Sequence, residues 1–240
     1  MNLLFTICGR AGSKGIPKKN IRPFLAYPLP FYTASVIDLY RLAHPEHTAD
    51  LVLNTDSPEL IELFEKQLNL PFNIIVRDPA IAQDTTPKIA VIRNCYEEMT
   101  KRTAREYDMV IDLDITAPLR TQNDLENLIQ KKSESDADVV FSVVDSRRNP
   151  YFNMVKRTEA GVERVIRSNF NSRQEAPQIL RQLEVALPVL VPPGADEGQH
   201  GAVVVVIRVA VQQAHPRHGG DGLHDLIDDR IVVEHAVGVV

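Results

Sequence analysis

The sequence has no tryptophan and only two cysteines, Cys8 and Cys95, far apart in the chain. Two isolated thiols supply neither a cysteine zinc motif nor a disulfide framework, so the chain is expected to fold on its hydrophobic core in a reducing cytoplasm. Positive charge is also short. The 27 Lys and Arg stand against 32 Asp and Glu, for a net charge of -5. That excludes the basic footprint of nonspecific nucleic-acid binding, and any anionic ligand must be held by a local cluster of cations. No stretch reaches the roughly 18 uncharged apolar residues that would cross a membrane. The apolar start, MNLLFTIC, has no basic residue before it and stops too soon for a secretory segment, so it reads as a buried first strand.

What is present is an ordinary globular composition, 44% apolar and 25% charged over 240 residues, enough for one large domain or at most two small ones. Strand-like and helix-like segments alternate. Strands are predicted over 3–8, 50–55, 73–76, 108–113 and 137–144, and helices over 29–42, 60–68, 86–100 and 122–133. Ser57 with Pro58, and Thr86 with Pro87, are expected helix openings. This alternation predicts an α/β fold with a mostly parallel sheet and helices on both faces. Ligands of such sheets lie beyond the carboxyl ends of the strands. The residues with most chemistry fall there: 9–19, Thr55-Asp56 and 112–120.

From residue 179 onward there is no Lys, Ser, Thr, Asn, Phe, Tyr, Met or Cys, and Val, Gly, His, Asp and Pro replace them. Only 203–207 reads as a strand in this tail. The change of alphabet is abrupt, and we read it as a slip of the reading frame at about residue 178. The histidines at 200, 215, 218, 224 and 235 follow no metal-ligand spacing.

The strongest local signal is Gly9-Arg10-Ala11-Gly12-Ser13-Lys14-Gly15-Ile16-Pro17-Lys18-Lys19-Asn20, after the first strand. Glycines let backbone N–H groups approach phosphate oxygens, and Arg10, Lys14, Lys18 and Lys19 supply charge. The spacing is neither that of a Walker A loop nor that of a dinucleotide fingerprint. Further on, Asp112 and Asp114 stand at a strand end, and they are expected on opposite faces with one of them entering the cleft.

The run Arg10-x-Gly12-Ser13-Lys14-Gly15-Ile16-Pro17-x-Lys19-Asn20 resembles the signature of the cytidylyltransferases that activate sialic, legionaminic and pseudaminic acids. Thr55-Asp56, Arg77-Asp78-Pro79 with Asp84-Thr85, Asp112–Arg120, 147–154 and 173–177 resemble further motifs of that family in the same order. The resemblance covers about three quarters of the chain. It implies a Rossmann-like three-layer nucleotidyltransferase at 1–178, with a dimerisation extension at 147–178 and an atypical tail at 179–240. It also implies a homodimeric enzyme of cell-surface polysaccharide biosynthesis that uses CTP, an acidic nine-carbon sugar and Mg²⁺.

By that resemblance Arg10, Lys14 and Lys19 serve the triphosphate and catalysis, while Ala11, Gly12, Ser13, Gly15, Asn20, Arg77 and Thr85 bind CTP. Asp114, Thr116, Arg173 and Gln174 contact the sugar, with Arg173 reading its carboxylate, and Asp112 or Asp114 holds the metal. Tyr151, Phe152, Met154 and Val155 are expected at the dimer interface, or else in ordinary packing. The family's terminal metal aspartates have no counterpart, since Asp228-Asp229 lacks their alternation. A cytidylyltransferase for an eight-carbon acid such as Kdo, and a noncatalytic remnant that still binds CTP or dimerises, are the competing expectations.

Overall fold

The computed structural model describes residues 1–12, 15–137, 139–146, 148–170, 172, 174–182, 204–208 and 231–235. Ser13, Lys14, Arg147, Arg173 and Asp228-Asp229, together with most of the predicted tail, lie outside the described residues.

The strands are β1 (Asn2–Gly9), β2 (Pro23–Phe24), β3 (Tyr27–Pro28), β4 (Thr48–Thr55), β5 (Phe72–Val76), β6 (Met109–Leu113), β7 (Val139–Asp145), β8 (Val155–Thr158), β9 (Gly161–Arg164), β10 (Leu180–Gln182), β11 (Val204–Arg208) and β12 (Ile231–His235). The helices are α1 (Leu29–Ala43), α2 (Pro58–Gln67), α3 (Lys88–Thr103) and α4 (Gln122–Ser133). α1 and α3 have no side-chain cap, so the opening expected at Thr86 does not form and α3 starts at Lys88 behind Pro87. Ser57 caps α2 by accepting the Leu60 N–H, with Pro58 in the first turn. Thr121 and Asp124 form a reciprocal capping box on α4.

One sheet organises these elements, in the order β5-β4-β1-β6-β11-β7-β10, with β12 also on β7. Strands β5, β4, β1 and β6 are parallel neighbours. β11 enters antiparallel between β6 and β7, so the strand expected at 203–207 forms within the sheet. Alternate residues of β1 feed two cores, as the period of two requires. Leu3, Phe5 and Ile7 pack with Ile37 and Tyr40 of α1, Phe64 of α2 and Leu125 of α4. Leu4, on the other face, packs with Ile92, Cys95 and Met99 of α3. The result is the expected three-layer α/β fold.

Register then sets the functional edge. Gly9 pairs with Thr55 and Thr55 with Val76, while Thr6 of β1 pairs with Asp112 of β6. β1, β4 and β5 therefore end level, β6 stops two residues earlier, and the segments after them meet at one rim.

Between β7 and β10 the chain makes an excursion that leaves and returns at one point, where the Ser146 N–H donates to the Ile179 carbonyl at 2.8 Å. Its hairpin, β8 and β9, forms a separate two-stranded sheet.

Candidate active site

The rim encloses a cavity of about 300 Å³ lined by residues of five segments, among them Arg10, Lys19, Arg77, Lys88 and Asp114. The segment after β1 turns sharply. A Cβ on Gly9 would lie 2.7 Å from Ile115 Cδ1 and 2.8 Å from Leu60 Cδ2, so a larger residue there would have to displace both methyls. Gly12 has φ +72, a backbone that side chains disfavour. Asp56, just after β4, anchors the loop by accepting the Ala11 N–H at 2.7 Å. Asn20 Nδ2 donates to the Arg10 carbonyl at 3.0 Å and ties the far end of the loop back to its start.

Three cations of this rim differ in how they are held. Arg10 is ion-paired with Asp84. Arg77 is buried, donating from Nε to Asn54 Oδ1 at 2.7 Å and from Nη2 to the Asn54 carbonyl at 3.0 Å, with Asn54 braced in turn by Asn94. Lys19 is half-buried in the cavity wall, and its ammonium has no hydrogen-bond or ion-pair partner among the described residues. A half-buried ammonium without an internal partner is a site for an external anion.

Lys88 was not singled out by any sequence motif. It is the first residue of α3, and its ammonium sits between two carboxylates, in contact with Asp114 Oδ1 and 2.5 Å from Asp112 Oδ2. The Asp112 contact is an ion pair without hydrogen-bond geometry, since that oxygen has no hydrogen-bond partner, while its other oxygen accepts from Thr6 Oγ1 at 2.9 Å. Burial opposes the charge of Lys88, but Asp112 and Asp114 outweigh it and raise the group above its ordinary value. The expectation that the two aspartates face opposite sides is overturned. Residues two apart on a strand share a face, and although β6 ends at Leu113, the carboxylates of Asp112 and Asp114 both reach Lys88.

The two oxygens that converge on Lys88 are hard donors of the kind Mg²⁺ takes, so the donor set fits that ion. Here the shared cation is Lys88. Behind them Arg120 is buried. Burial pushes its guanidinium down to about 10, against the pull of Asp114 and Asp112. Cys8 lines the cavity as a free thiol. Its hydrogen bond to Cys95, then its burial and the charge of Asp112, hold it well above the ordinary value, so it stays protonated.

Of the residues expected in the site, Arg10, Lys19, Asn20, Arg77, Asp114 and Thr116 line the cavity. Asp112 reaches it through Lys88. Ala11, Gly12 and Gly15 lie exposed on the loop beside it, and Thr85 is exposed while its neighbour Thr86 lines the wall. Gln174 is exposed in the turn before β10, away from the lining set. Ser13, Lys14 and Arg173 fall outside the described residues.

A family model described as Cytidylyltransferase matches residues 4–181. The chain is 32% identical over 176 residues to the post-translational flagellin modification protein B of Campylobacter coli, covering 73% of this chain and 72% of that one. It is 33% identical, with the same coverage, to the CMP-N,N'-diacetyllegionaminic acid synthase of Campylobacter jejuni subsp. jejuni. Among solved structures, the 4-diphosphocytidyl-2C-methyl-D-erythritol synthase of Anaerococcus prevotii superposes with a TM-score of 0.51 at 11% identity, over 98% of this chain and 87% of that chain, a likeness of fold.

Proposed function

The chain belongs to the cytidylyltransferase family, and from that premise we propose that it transfers CMP from CTP to the anomeric hydroxyl of a nine-carbon acidic sugar of the sialic or legionaminic acid type. The sugar hydroxyl gives up its proton to solvent, its oxygen bonds to the α-phosphorus as the α–β phosphoanhydride bond breaks, and pyrophosphate leaves. The observation that carries this reading is the cavity at the strand ends, where Lys19, without an internal partner, stands beside Arg10 and Arg77. Nucleotidyl transfer of this kind needs positioning and preorganised cations more than covalent help from the protein. The likeness to a CMP-N,N'-diacetyllegionaminic acid synthase supports the choice of sugar.

Arg10 and Lys19 bind the triphosphate, and Arg77, locked onto Asn54, fixes the wall against which the nucleoside rests. Asp114 and Thr116 line the same cavity and take the sugar side. Asp112 and Asp114 would hold Mg²⁺, which when bound supplies positive charge to the triphosphate. The two free thiols and the use of CTP support a cytoplasmic enzyme.

The test is pyrophosphate release by the purified chain with CTP, Mg²⁺ and four acceptors: N,N'-diacetyllegionaminic, N-acetylneuraminic and pseudaminic acids, and Kdo. Turnover with the first or second acid is expected, with at least roughly tenfold lower kcat/KM for Kdo, a discrimination of about 1.4 kcal/mol. Preference for Kdo, or no release by a folded chain that still binds CTP, would sink the proposal.

A homodimer built on the excursion at 148–170 belongs to the same proposal. Within it Tyr151 packs edge-on against Phe170, with ring centroids 6.1 Å apart. The hairpin, however, exposes Val155 at 62% and Val162 at 68%. A lone two-stranded hairpin is marginal in water, so its apolar side needs a cover. Light scattering should report a dimer for the native chain and a monomer for a Val155→Asp/Val162→Asp variant. An unchanged mass for the variant would remove the hairpin from the interface.

A further inference from the structure

At the opposite end of the sheet from the cavity, the turn between α1 and β4 reads His44-Pro45-Glu46-His47. The His47 N–H donates to the His44 carbonyl at 3.1 Å and closes the turn. This brings the two imidazoles nearly parallel, with centroids 5.6 Å apart and planes at 14°. Glu46 Oε1 lies 3.1 Å from His44 Nδ1 and 3.7 Å from His47 Nε2. One ligand atom from each of the three residues falls within 4.8 Å of the others. Ligands of a tetrahedral Zn²⁺ stand about 3.3 Å apart when its bonds are about 2.0–2.1 Å long. The cluster is thus near that spacing before any ion is added.

The far sides of both rings are also engaged. His44 Nε2 lies 3.1 Å from Glu126 Oε1, and Glu126 is steadied by Gln122 Nε2 at 2.7 Å, both on α4. His47 Nδ1 lies 2.9 Å from the hydroxyl of Tyr40. Tyr40 is buried and fixed edge-on against Phe5. Metal-binding histidines characteristically donate their second N–H to a carboxylate or another acceptor, which sets the tautomer and aims the free nitrogen at the metal. Here each ring has such a partner on one nitrogen and faces Glu46 Oε1 with the other.

We propose that His44 Nδ1, Glu46 Oε1 and His47 Nε2 form a binding site for one Zn²⁺ ion, oriented by Glu126 and Tyr40. Two imidazoles and one carboxylate suit Zn²⁺, which would take water as its fourth ligand. Because the ligands sit on the α1–β4 turn and the orienting carboxylate on α4, the ion fastens that turn to α4. The site is separate from the cavity, and it stands whether or not the sugar assignment holds.

The test is calorimetric titration of the metal-stripped full chain with Zn²⁺ at neutral pH. One saturable equivalent is expected in the native chain. In His44→Ala and His47→Ala its affinity should fall at least about tenfold, and about tenfold or more in Glu126→Gln. X-ray absorption of the zinc-loaded native chain should show two imidazoles in the coordination shell. The remaining histidines at 200, 215, 218, 224 and 235 are the internal competitors. Saturable binding that survives unchanged in the His44→Ala/His47→Ala double variant would assign the ion to them and overturn the proposal. So would the absence of saturable uptake by the native chain.

Discussion

Lys19→Ala is expected to lower kcat/KM for pyrophosphate release by about 10²–10³, the loss found when one preorganised charge-stabilising donor is removed from an active site. It should do so without altering the fold. The Lys19 side chain makes no hydrogen bond or ion pair with any described residue, so truncating it breaks no native polar contact and leaves no buried group unsatisfied. The thermal midpoint and the far-ultraviolet spectrum should therefore match those of the native chain, and CTP should still bind. Lys19→Arg is expected to recover only part of the rate, because a planar fork replaces a compact ammonium at a fixed backbone position. Unchanged turnover in Lys19→Ala would remove it from the triphosphate site. A lowered midpoint would show instead that it has a structural partner.

The same residue shows where sequence reading is strong. Lys19 was legible because a glycine-rich loop after a buried strand has few other uses for clustered cations, and because parallel strands bring their following loops to one rim. Helix α2 was legible from its opening, Ser57 before Pro58, since capping chemistry is local, whereas Thr86 does not cap α3. Lys88 was not legible. One lysine at a helix start carries no signal, and its role comes from contacts with residues 24 and 26 positions away, across β6 and the turn that follows it. The spacing Asp-Leu-Asp did carry a signal, because residues two apart on a strand share a face, and Asp112 and Asp114 meet one cation. The His44–His47 cluster was passed over for a related reason. Its spacing of three falls in a turn, and its meaning depends on Glu126, which is distant in sequence and near in space. In the C-terminal quarter the change of composition and the end of the family match, at residue 181, fall at almost the same place.

Lys88→Met should show the reverse of the Lys19 pattern, with its first effect on stability. Asp112 is 1% exposed, and Lys88 is its cation. Removing one partner of a buried pair leaves an uncompensated charge, at a cost of about 3 kcal/mol. In a chain of this size that lowers the thermal midpoint by roughly 6–12 °C. Lys88 itself is 40% exposed, and Asp112 keeps its hydrogen bond from Thr6, so the loss belongs at the lower end of that range. The sign of the pH dependence follows from the raised lysine. A folded-state value above the ordinary one means that the contribution is complete below about pH 10.4 and fades only as pH rises past it. The deficit of Lys88→Met should therefore be constant across neutral pH and shrink only in strong alkali. Lys88→Met/Asp112→Asn separates the electrostatic account from a packing one. With the carboxylate neutralised, no charge is left stranded, and the double variant should regain most of the lost stability. A single variant as stable as the native chain, or a double variant no better than the single, would show that Lys88 does not hold Asp112 in place. Turnover should remain low in both variants, since each lacks the cation that fixes Asp114 at the cavity wall.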